Sequence, residues 1–272
     1  MPSLEDHQSN EFTKMIVLGD PGTGKTGGLA SLVKDYWLGI LDYDNGLESL
    51  KQFVRRECGK EGLANVEYRT LRDKRKSTPS GSMVDGGATA FTDGLKMLDH
   101  WKYKNDDGTM TDYGPPSQWG PERILVIDSM TLQAKAAYDW CEQMVPRGKS
   151  GQFDPRAVYW DAQKSIEQCV ANYTSEAYRT NVICITHVNY IDNEDGTRKG
   201  YPNTIGKALS PIIGLYFNSI AMCTVKAGGK RVVQTAPTAM VDLKNPKPFA
   251  MLPEYPIGTG LADFFKVLRS ET

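Results

Sequence analysis

The eight residues Gly19-Asp20-Pro21-Gly22-Thr23-Gly24-Lys25-Thr26 constrain this chain more than any other stretch. They fit the pattern GxxxxGK[ST] in full. An apolar run, TKMIVL over 13–18, leads into them, and Leu29, Leu32 and Val33 follow at helical spacing. A glycine-rich turn between a buried strand and a helix lets successive backbone N–H groups curl around an anion, and the positive end of the helix points at the same spot. Lys25 then supplies a cation for the β- and γ-phosphates of a nucleotide, and Thr26 a hydroxyl for Mg²⁺. A purely structural glycine turn is the alternative, and the flanking strand and helix weigh against it.

A phosphate loop of this kind needs a parallel sheet, and the rest of the chain supplies one. WLGILD (37–42), Val66 to Leu71, ILVID (124–128) and NVICIT (181–186) are short continuous apolar runs, the signature of strands buried on both faces. Helical stretches alternate with them: 24–35, 46–58, a face of Phe91, Leu95 and Leu98, and 132–144. Val158, Ala162, Ile166, Cys169, Val170, Tyr173 and Ala177 predict a long amphipathic helix. SIAMCTV (219–225) and RVVQTA (231–236), joined through Ala-Gly-Gly-Lys, predict an antiparallel hairpin extending one edge. The turn-rich stretches 76–87 and 104–122 are expected to be surface loops, the second an insertion. Residues 1–12 read as a polar, disordered tail and 13–272 as one α/β domain.

Composition narrows the classes further. Thirty-two Lys and Arg against 33 Asp and Glu leave a net charge of −1, which excludes a histone-like polycation. No apolar run has the length of a membrane span, and the start has no signal-peptide pattern. Cysteines 58, 141, 169, 184 and 223 form no CxxC pair, which argues against disulfide scaffolds and zinc ribbons. A soluble cytoplasmic protein with no membrane partner is expected.

Magnesium in such a site requires a second carboxylate at the end of a neighbouring buried strand. Asp128 closes ILVID and is the candidate, with helix capping as the alternative role. Asp42 and Asp44 end the strand in ILDYDNGLE. Strand alternation puts both on one side, so that one can polarise water while the other supports it. Helix capping by Asp44 or Asn45 is the competing explanation.

Taken in order, the phosphate loop, ILDYDNGLE, ILVIDSMT, ICITHVN and GKALSPIIG resemble RecA-family ATPases over about residues 13–250. The closest likeness is to the small phage RecA-like ATPases grouped with single-strand annealing proteins. The resemblance implies a RecA-like P-loop NTPase core: a mainly parallel sheet, helices on both faces and an antiparallel edge hairpin. It implies ATP and Mg²⁺ as cofactors. Asp44 falls where the family carries its catalytic glutamate, so the reach to water is shorter here. His187 falls at the position that senses the γ-phosphate and couples it to a DNA-binding loop. Thr13 already opens the first strand, so no N-terminal polymerisation helix is expected before it.

The resemblance also sets out a nucleic-acid surface. Asn189 to Leu209 aligns with the family's second DNA loop and carries Arg198, Lys199, Tyr201 and Lys207, balanced by Asp192, Glu194 and Asp195. Val145 to Tyr159 stands where the first DNA loop belongs, with Arg147, Lys149 and Arg156 as cations and Phe153 as a stacking face. In the basic C-terminal portion Lys244 and Lys247, with Lys226 as a third, are candidates for reaching a neighbouring protomer's γ-phosphate. The run Arg72-Asp73-Lys74-Arg75-Lys76 reads as a solvated loop near DNA.

The expected protein is therefore an ATP-dependent single-stranded DNA-binding protein of phage recombination that promotes annealing or strand exchange. Its implied partners are DNA, further copies of itself in a filament or ring, and a single-stranded DNA-binding protein. Two rivals stay open: an annealing protein that uses ATP only as a structural switch, and a P-loop motor or regulatory ATPase acting on protein. A nucleotide kinase would need an arginine-rich lid segment that the sequence does not contain.

Overall fold

A computed structural model describes residues 11–79, 81–146, 154–192 and 196–270. Its centre is β1 (Lys14–Leu18), buried along its whole length and paired in parallel on both sides. The chain then forms α1 (Lys25–Gly28), β2 (Trp37–Asp42), α2 (Glu48–Cys58), β3 (Val66–Thr70), β4 (Arg75–Thr78), β5 (Gly81–Val84) and α3 (Ala90–Asp99). A second group follows: β6 (Lys102–Lys104), β7 (Met110–Asp112), β8 (Gly120–Asp128), α4 (Met130–Met144), α5 (Pro155–Thr174) and β9 (Thr180–Thr186). The last is β10 (Val188–Asp192), β11 (Arg198–Pro202), α6 (Gly206–Ile213), β12 (Ser219–Val225), β13 (Arg231–Gln234), β14 (Glu254–Pro256) and α7 (Gly260–Arg269).

The main sheet has eight strands in the order β14-β13-β12-β1-β9-β8-β2-β3. From β12 to β3 all pairings are parallel, so six strands end on one edge. The hairpin β12–β13 and then β14 continue the sheet antiparallel, as the sequence predicts. Side chains divide by strict alternation. Met15 and Val17 of β1, with Ile124 and Val126 of β8, face α2 and α7. Ile16 and Leu18, with Leu125 and Ile127, face α3, α4 and α5. This is the α/β P-loop NTPase fold expected from the sequence.

Several local expectations are corrected. The helix read over 24–35 is a single α-turn followed by a 3₁₀ segment, Leu29–Leu32. Gly27 meets the Phe53 ring so closely that a Cβ there would stand 2.8 Å from it. The Ser31 hydroxyl donates to the Gly28 carbonyl, competing with helical bonding. The stretch 76–87 contains the hairpin β4–β5 rather than an irregular loop. The insertion at 104–122 is only half a surface loop. It holds the hairpin β6–β7, then sends Trp119 back onto the sheet, where a Cβ on Gly39 would lie 2.6 Å from the indole. Leu95 sits at the margin of its helix face, and Gly94 instead packs inward under Tyr43. Residues 1–10 of the polar tail lie outside the described residues, but Phe12 is buried.

Lys14 shows how the root of the phosphate loop is fixed. Only 6% of it is exposed. Its ammonium donates to the carbonyls of Tyr173 (3.1 Å), Tyr178 (2.6 Å) and Thr180 (2.8 Å). Three donors meet three acceptors, tying the end of α5 and the start of β9 to the first residue of β1. Each buried carbonyl left unpaired costs about 1–3 kcal/mol, so Lys14→Met is expected to lose ~3 kcal/mol or more in urea denaturation. A loss under ~1 kcal/mol would show that solvent reaches these carbonyls.

Candidate functional site: a phosphate loop facing two strand-end carboxylates

Five predicted residues converge where β1, β2, β8 and β9 end. Lys25, Thr26, Asp44, Asp128 and His187 line one cleft of about 620 Å³, together with Pro21, Gly22, Gly24 and residues from α2 and the C-terminal segment. The backbone is built for the turn. Gly22 and Gly24 have φ of 78° and 97°, a region that disfavours other residues. A Cβ on Gly19 would stand 2.6 Å from the Thr23 hydroxyl and 2.7 Å from the Cys223 carbonyl. Thr23 closes the loop by donating from its hydroxyl to the Asp20 carbonyl at 2.8 Å.

Lys25 is buried, and its ammonium donates to the carbonyls of Gly19 (2.8 Å) and Asp20 (2.9 Å). Burial holds its pKa below the usual lysine value. The imidazole Nδ1 of His187 stands 3.5 Å from the same nitrogen. Burial, and then the Lys25 charge, lower the His187 pKa, which favours the neutral ring. The Thr26 hydroxyl donates to Oδ2 of Asp128 at 2.8 Å. Asp128 is 1% exposed, and its Oδ1 has no hydrogen-bond partner among the described residues. Burial, and then the charges of Asp44 and Asp42, push the Asp128 pKa up to about 7.

An orphaned buried carboxylate oxygen beside a threonine hydroxyl is a hard-oxygen donor set, and it fits Mg²⁺. Thr26 and Asp128 are the residues that would hold the ion, which would neutralise phosphate charge there.

The two aspartates separate by environment, because β2 ends at Asp42 and the expected strand alternation does not extend to Asp44. Asp42 is 1% exposed and accepts from the Asn45 N–H at 2.7 Å and the Thr70 hydroxyl at 3.1 Å. It organises the turn between β2 and α2. Asp44 is half-buried and lines the cleft. The backbone N–H groups of Tyr43 and Asp44 both donate to the Asp128 carbonyl, at 2.6 and 3.3 Å. That bonding draws this turn against the end of β8.

A family profile described as an AAA domain matches residues 11–246. The chain belongs to that family. It is an AAA-domain P-loop ATPase, and membership implies nucleotide binding. No protein of curated function matches the chain.

Phe53, Ile257 and Arg231 are among the cleft residues of this AAA domain that the sequence did not mark as site residues. Phe53 of α2 packs on Gly27, and Ile257 packs on Gly24 and Gly28, each 3.3 Å from where a Cβ would be. They flank the start of α1 as two apolar walls. The Gly27-Gly28 pair was the available signal, because adjacent glycines inside a helix mark a close approach. Arg231 of β13 donates through Nε to the Gly22 carbonyl at 2.9 Å. Nothing in the sequence separates it from the other basic residues of that stretch.

The other predicted residues lie away from the cleft or are already paired. Arg147, Lys149 and Phe153 lie outside the described residues. Arg156 is exposed on the first turn of α5, and Lys207 on that of α6. In the segment from Asn189, residues 189–192 pair with 198–201 in the hairpin β10–β11, and Glu194 and Asp195 lie outside the described residues. There Arg198 pairs with Asp192 at 3.5 Å and covers the Tyr190 ring, Lys199 pairs with Asp242 at 2.9 Å, and Tyr201 is half-buried. Lys226 pairs with Glu254 at 3.0 Å, Lys247 donates to the Ser270 carbonyl, and Lys244 is exposed. Among the described residues no helix is long and apolar enough to cross a membrane, and all five cysteines are free.

Asp42→Ala removes a buried acceptor that holds the Asn45 N–H and the Thr70 hydroxyl, so a loss of about 2 kcal/mol is expected in thermal or urea unfolding. Asp44→Asn should leave stability within ~0.5 kcal/mol, as for an ordinary surface change. Equal losses would mean that both aspartates serve the turn.

Proposed function

We propose that the chain is a Mg²⁺-dependent ATPase that binds single-stranded DNA and uses its nucleotide state to control annealing or strand exchange, as in phage recombination. One observation carries this reading. An unbroken set of contacts runs from Lys25 to the hairpin β10–β11. The His187 ring faces Lys25 at 3.5 Å, and the His187 N–H donates to the Thr131 hydroxyl at 3.1 Å. Thr131 meets the Thr186 hydroxyl at 3.0 Å, and both donate to the Asn203 carbonyl. The Asn203 N–H returns to the His187 carbonyl at 2.9 Å. A charge arriving beside Lys25 thus acts on the base of the hairpin that carries Arg198, Lys199 and Tyr201.

In this reading the loop amides and Lys25 bind the phosphates, and Thr26 and Asp128 hold the metal. Asp44 accepts a proton from, or orients, the attacking water. His187 reports the γ-phosphate. Phe53 and Ile257 take the base between them. Copies would assemble with the nucleotide between protomers, with Lys226, Lys244 or Lys247 reaching across, and DNA along Arg147, Lys149, Phe153, Arg156 and Lys207. A second reading, action on a protein partner, is favoured by the ion pairs that already occupy Arg198 and Lys199. Binding of labelled oligonucleotides at low salt separates the two.

Lys25→Ala should abolish turnover and weaken nucleotide binding. Asp44→Asn should keep nucleotide affinity while turnover falls by about 10²–10⁴-fold, the usual contribution of a positioned general base. Single-turnover hydrolysis with and without DNA measures both. Unaltered turnover in Asp44→Asn would remove Asp44 from the hydrolytic step, and negligible turnover in wild type would leave ATP as a structural switch only.

Coupling gives the sharper test. If ATP strengthens DNA binding by some factor, DNA must strengthen ATP binding by the same factor. His187→Ala should bring that factor towards one while the affinity for ATP alone persists, because the loop supplies most of it. Anisotropy titrations with and without an ATP analogue measure the factor. An unchanged factor in a folded variant would remove His187 from the mechanism.

A further inference from the structure

The basic run Arg72-Asp73-Lys74-Arg75-Lys76 is left unused by the nucleotide site. Its lysines and arginines rise from the end of β3 into the hairpin β4–β5, on the same sheet edge as the phosphate loop. Arg72, Lys74, Arg75 and Lys76 are all exposed. The nearby carboxylates are already engaged. Asp73 accepts the N–H groups of Thr89 (2.7 Å) and Ala90 (3.0 Å) at the start of α3, and Asp85 pairs with Lys76 at 3.0 Å. Asp139 of α4 is shared between Arg75 (2.8 Å) and Lys135 (2.5 Å). One buried carboxylate therefore faces two cations.

These cations border a longer feature. Arg72 and Arg75 line a hollow of about 100 Å³ together with Leu132 and Lys135. Leu132 and Lys135 also line a second hollow, of about 490 Å³, that reaches Tyr138 and Tyr159. The two tyrosine rings lie 4.9 Å apart at 55°, Tyr159 is 45% exposed, and the Lys135 ammonium stands 5.0 Å from the Tyr138 ring. Together they make a trough across α4 with cations at one end and aromatic faces at the other.

We propose that this trough binds a segment of single-stranded nucleic acid, with Arg72 and Lys74 on its phosphates, the Arg75–Asp139–Lys135 cluster adding one net positive charge beside them, and Tyr138 and Tyr159 against its bases. The proposal rests on the nucleic-acid reading above and adds to it a surface outside the hairpin β10–β11. Phosphates alternating with flat bases use both halves of the trough, and aromatic platforms beside backbone cations are how such strands are held without sequence preference. An acidic protein segment would use the cations and leave the tyrosine faces idle.

The test is anisotropy of a labelled oligo-thymidine with the full chain and an ATP analogue, across a salt series. Arg72→Gln/Lys74→Gln changes two exposed side chains, so its melting temperature should match wild type. Its binding should weaken by about tenfold, and the slope of log affinity against log salt should flatten by about 1.4, as for two lost phosphate contacts on a single strand. Tyr159→Leu should weaken binding about tenfold and Tyr159→Phe should restore it, the difference being the stacking face.

If both sets bind as wild type while Lys207→Glu weakens binding, the strand follows the hairpin side alone and the trough proposal fails, although the function stands. If wild type binds no oligonucleotide at low salt, the nucleic-acid reading itself fails. If poly-glutamate competes as well as the oligonucleotide and Tyr159→Leu has no effect, the trough takes an acidic protein and the proposal is overturned.

Discussion

Everything in this molecule is arranged around β1 being paired on both sides in parallel. A strand in that position is dry along its length, so Met15 to Leu18 must be apolar and the chain must leave it abruptly. Gly19 is where it leaves, and the crowding of Thr23 and the Cys223 carbonyl around its Cα admits no side chain. The turn that follows therefore opens at the sheet edge where β8 and β9 also finish. Lys14 anchors the other end of the strand through three carbonyls. The phosphate loop thus stands on a strand fixed at both ends, and its geometry is set before any ligand arrives.

Parallel pairing also decides which side chains can cooperate. Asp42 of β2 lies in register with Asp128 of β8, and Leu18 of β1 with Thr186 of β9. Residues from four distant stretches of sequence consequently meet at one edge. The cost of that convergence falls on Asp128, whose carboxylate is desolvated with one oxygen unpartnered among the described residues. Such an orphan is tolerated at a functional site and rarely elsewhere. The His187 contacts extend the same logic one residue beyond the sheet. Thr131 and Thr186 are small hydroxyls that lock the hairpin's base against α4.

The sequence made the centre of this arrangement legible and its periphery obscure, for physical reasons. A phosphate loop needs particular residue types at fixed spacing, and doubly buried strands need unbroken apolar runs. Hence β1, β2, β8, β9 and the residues Lys25, Thr26 and Asp128 could be read directly. The hairpins β4–β5 and β10–β11 could not, because each is a two-stranded element whose residues are mostly polar and mostly outside the core. Trp119 escaped for the opposite reason. It sits among glycines and prolines that mark a surface turn, yet Gly39 leaves a flat place on the sheet that only a large ring fills. Phe53 and Ile257 act through tertiary contact with glycines of α1 and the loop before it, far from them in sequence, and Arg231 through a single carbonyl of the loop.

The aspartate at position 44 is the place where sequence and structure bear on each other most closely. A side chain one methylene shorter than glutamate gives up about 1.5 Å of reach, a carbon–carbon bond length. The backbone supplies a counterweight. Both the Tyr43 and Asp44 N–H groups bond to the Asp128 carbonyl, so the turn after β2 is drawn towards β8 instead of running straight on. Asp42 reinforces the bend by holding the Asn45 N–H, with Asn45 itself at a positive φ of 56°. The main chain thereby carries the Asp44 carboxylate towards the carboxylate of Asp128. In the reading proposed for this cleft, the shorter side chain and the inward bend are two halves of one arrangement.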